Sequence, residues 1–151
     1  YATTGERILL EFSINGQPMG SEFRVGAGSE LEISVQANGT WELESVEVFG
    51  CPFIDGDRTV PVNSLMFADD DPGVEEALHG WQTLLSETDI GALDAAYTCR
   101  LDFGTQQMVY YARVTQAGLM TLPGILEGQE EPQKRAVVAW SSPIWILPED
   151  A

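Results

Sequence analysis

Few side chains in this sequence could carry a reaction. Its 151 residues hold one histidine, His79, and two cysteines, Cys51 and Cys99. A single imidazole outside any recognisable motif is weak evidence of catalysis or metal binding. On a helix, His79 would sit one turn after Glu75 and Glu76, which suits a surface ion pair. Asp69, Asp70 and Asp71, with Asp55 and Asp57 nearby in sequence, could offer several oxygens to Ca²⁺. The Asp-x-Asp-x-Asp-Gly spacing with a distant Glu is missing, however. Helix capping by Asp71 ahead of Pro72 accounts for the run. Ser141-Ser142 lies in no Gly-x-Ser-x-Gly elbow, so it reads as two strand hydroxyls beside a proline. The sequence implies no catalytic residue and no cofactor in this chain, with those five aspartates as the calcium candidates.

Aromatic side chains are the other resource. Trp41, Trp81, Trp140, Trp145 and the Tyr110-Tyr111 pair could form a sugar-stacking platform. Alternation instead predicts Tyr110 and Trp140 inside and Tyr111 and Trp145 on the opposite face. An apolar patch there would meet a ligand or a docking partner, so Tyr111 and Trp145 are the interface candidates. Asn38-Gly39-Thr40 fits a glycosylation sequon, but the same residues read as a tight turn.

The elements that must hold these residues are strands. Ile8, Leu10, Phe12 and Ile14 alternate with polar neighbours, as do Leu31, Ile33 and Val35, and Tyr97, Cys99, Leu101 and Phe103. Asn15-Gly16 and Asn38-Gly39 both read as turns with positive φ. Trp41 and Leu43 share one parity and Val46 and Val48 the other, which predicts a β-bulge near Glu44-Ser45. Met108 to Gln116 and Ala139 to Ile146 read as a closing hairpin, with Pro143 placing the second strand at an edge or breaking it.

The expected architecture is therefore all-β: an antiparallel β-sandwich, Ig-like or jelly-roll-like, forming one domain over 1–151. Residues 51–96 read as an irregular or helical insertion. Val74, Ala77, Leu78, Trp81, Leu84 and Leu85 follow helical spacing. The other reading is a short helix followed by a strand from Trp81. Residues 124–133 read as a flexible acidic loop. Cys99 continues an inward series, so the two thiols are expected to be unpaired and in the core rather than bridged.

Charge narrows the partners. Seven basic residues face 24 acidic ones, a formal net charge of −17. Such a surface repels phosphates and anionic lipid, which argues against nucleic acid and membrane partners. Solubility, cation binding or a basic partner could each explain it. No apolar run approaches the ~20 residues of a membrane helix. Tyr1 enters a strand almost at once with no Met before it, which suggests a trimmed or processed product. Compartment is left open, periplasmic or secreted versus cytoplasmic.

Six segments occur in a telling order: Tyr1 to Ile8, Asn15-Gly16, Met19 to Glu22, Val46 to Phe49, Tyr110 to Gln116, and Ala139 to Ile146. This series resembles the C-terminal region of a large bacterial family of unknown function. Members of that family look like metallohydrolases of the polymerase-and-histidinol-phosphatase (PHP) or amidohydrolase type, with an Asp-Leu-His-x-His-Thr metal motif in an N-terminal domain. The motif has no counterpart here, and residues 51–96 look longer than the usual linker. The resemblance implies a non-catalytic accessory domain whose partner is the N-terminal catalytic domain of the same polypeptide, with a possible homo-oligomer. The alternative expectation is a secreted carbohydrate- or calcium-binding sandwich.

Overall fold

The computed structural model describes residues 2–3, 7–53, 82–121 and 134–149. These residues form eleven strands and no helix. Two sheets share one core, as the alternating sequence predicts, and the fold is a β-sandwich. The smaller sheet runs β3 (Gln17–Pro18), β2 (Leu9–Ile14), β5 (Glu30–Asn38), β8 (Asp94–Asp102). Its pairs are all antiparallel. Asn15 and Gly16 have φ of 51° and 74°, and they close the two-residue hairpin between β2 and β3. Asparagine and glycine tolerate that left-handed region, so the turn is the one the dipeptide favours.

The larger sheet is built around β9 (Met108–Thr121). Strand β6 (Leu43–Pro52) lies along one edge of β9, with β7 (Gln82–Thr88) outside it. Strands β10 (Lys134–Trp140) and β11 (Ile144–Pro148) lie end to end along the other edge. Strand β1 (Ala2–Thr3) pairs with β10, and β4 (Glu22–Val25) pairs with β11 in parallel. The two closing segments are thus antiparallel neighbours, but the second is one strand interrupted at 141–143.

That interruption decides which side chains reach the core. Trp140 pairs with Arg113 and Ile144 with Tyr110, so three residues oppose two. The extra residue is a bulge that reverses the in–out phase. Val137 and Ala139 point into the core before it, and Ile144 and Ile146 after it. Trp140 therefore lies on the outer face, which corrects the expectation that it joins Tyr110 inside. Ser141 bridges the gap: its N–H donates to the Ala112 carbonyl at 2.9 Å, and its Oγ accepts from the Ala112 N–H at 2.8 Å.

A second bulge falls where the parity of the sequence changes, between Leu43 and Ser45 opposite β9. Trp41, however, precedes the strand and is 65% exposed, while Leu43 is buried. The core joins Ile8, Leu10, Phe12 and Ile14 to Leu31, Ile33 and Val35, and these to Val46, Val48, Tyr110, Ala112 and Val114. Burying each such aliphatic side chain contributes roughly 1.5–3 kcal/mol. Gly50 leaves room for the Tyr110 ring, since a Cβ there would come within 2.9 Å of Cε1.

Two further expectations change. Gly39 does not take positive φ. It joins β5 to β6 across the two sheets, and glycine is needed there for close approach: a Cβ would lie 2.5 Å from the Trp41 carbonyl oxygen. Leu84 and Leu85 lie in β7, in agreement with the strand reading of that stretch and not the helical one. The rest of the helical reading and the loop 124–133 lie outside the described residues.

Candidate functional site

The outer face of the larger sheet collects the side chains with the greatest chemical variety. Strand β6 sends Glu47, Phe49 and Cys51 outward, opposite the inward Val46 and Val48. Phe49 pairs with Tyr111 across the ladder and Cys51 with Val109. The Phe49 and Tyr111 rings stack with centroids 5.3 Å apart, and Trp140 packs against them.

A charged pair crosses this aromatic layer. Arg113 Nη2 lies 2.8 Å from Glu47 Oε2, and Arg113 Nε donates to the same oxygen at 2.9 Å. The guanidinium carbon sits 5.2 Å from the Phe49 ring centre. Both charged side chains are largely buried, so the contact is desolvated and geometrically fixed. Arginine suits such a place because its planar fork can bind a carboxylate and lie over a ring together. Sequence reasoning missed Phe49, Glu47 and Arg113. The available signal was opposite charges at matching outward positions of two adjacent strands.

Burial dominates the acid–base behaviour here. The Tyr111 hydroxyl is held far above the usual range by desolvation, with Arg113 pulling it down and Glu47 and Cys51 pushing it up. Desolvation also raises the Cys51 thiol. A base or nucleophile must lose its proton near neutral pH, and these groups are tuned in the opposite direction. The face can pack, and it can exclude water from a buried ion pair.

Further along the same face, Trp145 meets Phe53 edge to face with centroids 4.8 Å apart. Trp145 pairs with Val109, so it shares the outer face with Tyr111. The structure thus brings both interface candidates to one surface. Tyr111 is only 8% exposed, whereas Trp145, Phe53 and Trp140 are half-buried and keep area to offer.

The other sequence candidates fall elsewhere. His79, Trp81 and the calcium candidates Asp55, Asp57, Asp69, Asp70 and Asp71 lie outside the described residues. Among the described residues no three His, Cys, Asp or Glu side chains come together as a metal site. Ser141 spends its hydroxyl on the β9 ladder. Cys51 and Cys99 are both unpaired, as expected: Cys51 is buried on the outer face of the large sheet, and Cys99 packs, partly buried, against the shared core from the small one. Among the described residues the platform candidates do not come together: Trp41 stands at an end of the sandwich, and Trp140 and Trp145 lie on the outer face.

No protein-family model matches the chain. The chain is 32% identical over 151 residues to an uncharacterised protein of Chlamydia pneumoniae. It is 29% identical over 150 residues to an uncharacterised protein of Chlamydia trachomatis. Each alignment covers 97% of this chain and 18% of the relative. The chain therefore spans less than a fifth of the length of the curated relatives it matches.

Proposed function

We propose that this sandwich is a non-catalytic accessory module of a longer polypeptide, packed beside a metallohydrolase-type catalytic domain of the PHP-like class. One observation carries the accessory role: nearly the whole chain aligns with a small fraction of much longer relatives, and that stretch closes a core of its own. The ordered segments that resemble the C-terminal region of the PHP-like family support the type of partner. Trp145, Phe53 and Trp140 are the contact side chains, since each is an aromatic group left half-buried on the outer face of the larger sheet. Such rings gain from burial in a neighbouring domain without exposing the sandwich core.

The test is deletion. A longer polypeptide of this kind, produced with and without the sandwich, should lose thermal stability and change its oligomeric state or hydrolytic rate when the sandwich is removed. Unchanged stability, assembly and activity would sink the proposal.

A further inference from the structure

The large hydrophobic side chains that remain exposed among the described residues are Leu9, Trp41 and Leu93, at 56%, 65% and 55% exposure. Their placement is not scattered. Leu9 pairs with Asn38, and Asn38 pairs with Asp94. Trp41 follows Asn38 by three residues, and the Gly39 N–H donates to the Leu93 carbonyl at 2.8 Å. All three therefore stand at one end of the sandwich, on or beside the loops 39–42 and 89–93.

That end is built firmly. The two loops are joined by the Gly39 bond and by Leu43 N–H to Ala92 O at 2.7 Å and Gly91 N–H to Leu43 O at 3.0 Å. Beneath them the buried Gln116 side chain accepts from the Thr40 N–H at 2.9 Å and the Trp41 N–H at 3.1 Å. A buried amide that holds two successive loop N–H groups fixes the backbone from which Trp41 projects. An anchor held this way loses little conformational freedom on binding. Isolated exposed leucines need no explanation, but an exposed tryptophan on a fixed backbone is a residue type enriched in binding hot spots, and the two leucines extend the apolar area beside it.

Charge indicates what would bind. Glu42 and, at the start of β6, Glu44 follow Trp41, while Asp89 on the other loop and Asp94 at the start of β8 lie to either side of Leu93, all exposed. Among the described residues, Arg7 lies two positions before Leu9, and Lys134 and Arg135 pair with Thr121 and Met120 beyond Gln116, so the carboxylates beside Trp41 and Leu93 outnumber the basic residues at this end. Apolar anchors within a carboxylate rim match a partner with apolar side chains surrounded by lysine or arginine. We propose that this end of the sandwich docks a basic, amphipathic protein segment, with Trp41 as the central anchor. The proposal stands whether or not the longer polypeptide is a PHP-like hydrolase.

The probe is a short amphipathic peptide of leucine and lysine, with a leucine–glutamate peptide of the same pattern as control. Binding is followed by NMR on the ¹⁵N-labelled chain. The expected result is a shift of the Trp41 indole N–H and of Leu9 and Leu93 amides with the basic peptide only. Trp41→Ala should weaken binding by about tenfold or more at an unchanged melting temperature. Leu93→Ser and Glu42→Lys should each weaken it as well. Binding that spreads over the acidic surface, or that survives Trp41→Ala, would overturn the proposal, because charge alone would then be responsible. Engagement of Trp41 by glucose oligomers or anionic vesicles, in place of the basic peptide, would overturn it too.

Discussion

Arg113 and Glu47 face each other across strands β9 and β6, with two guanidinium nitrogens on a single carboxylate oxygen at 2.8 and 2.9 Å. Removing one partner strands the other in a largely buried place. Glu47→Gln and Arg113→Met should each destabilise the sandwich by about 1–3 kcal/mol, below the range for fully buried pairs because some solvent reaches both groups. The double variant should recover part of that loss. Urea denaturation of the four proteins gives the coupling, and additive losses would mean the pair is not coupled.

Ser141 replaces a missing ladder group at the break between β10 and β11. Ser141→Ala leaves the buried Ala112 N–H without its acceptor. The expected cost is about 1–3 kcal/mol, with faster hydrogen exchange at the Ala112 amide. Ser142→Ala serves as the comparison and should cost less, because Ser142 is not the acceptor for that N–H. Equal losses from the two variants would contradict the assigned role.

Gly39 and Gly104 should respond differently to the same substitution. A Cβ at Gly39 would meet the Trp41 carbonyl at 2.5 Å, whereas one at Gly104 meets nothing within 4 Å. Gly39→Ala should cost about 1–3 kcal/mol, as overpacking against a fixed backbone does. Gly104→Ala should be close to neutral. Thermal melts of both decide it, and a neutral Gly39→Ala would contradict the close approach.

Tyr110 supplies a pH dependence. Burial pushes its hydroxyl from the usual 10 to about 12. The neutral form is favoured in the folded state, so the unfolded chain ionises first. Stability from this group is complete below about pH 10 and is lost as pH rises through about 12. Loss should approach about 1.4 kcal/mol per pH unit between those values. Tyr111, raised further, adds to the same decline. Denaturation curves from pH 8 to pH 11 on the parent chain and on Tyr110→Phe measure this, and the variant should fall less steeply. Identical slopes would contradict it.

The parts of the fold legible in sequence were those where one rule acted alone. Ile8 to Ile14 and Leu31 to Val35 alternate because one face is buried, and the structure buries that face. The Glu44 bulge was legible from the change of parity between Leu43 and the pair Val46 and Val48, although Trp41, which shares the Leu43 parity, is exposed. Trp140 was misplaced because the bulge at 141–143 is set by how β10 and β11 share one edge of β9, a long-range pairing that local alternation does not carry. Asn38-Gly39 looked like a positive-φ turn, but its glycine answers to a tertiary contact. For the candidate site, parity placed Tyr111 and Trp145 on one face. It did not show that Phe49 and Trp140 would enclose Tyr111, because that burial comes from neighbouring strands.

The direct test of a non-catalytic accessory module is metal-dependent hydrolysis, measured side by side for this isolated chain and for a longer polypeptide that contains it. The expected result is a folded, all-β isolated chain with no turnover of a phosphate ester in Mn²⁺ or Zn²⁺. The longer polypeptide should turn over, and deletion of the sandwich should lower its stability. Turnover by the isolated chain, abolished by chelation, would contradict the proposal outright.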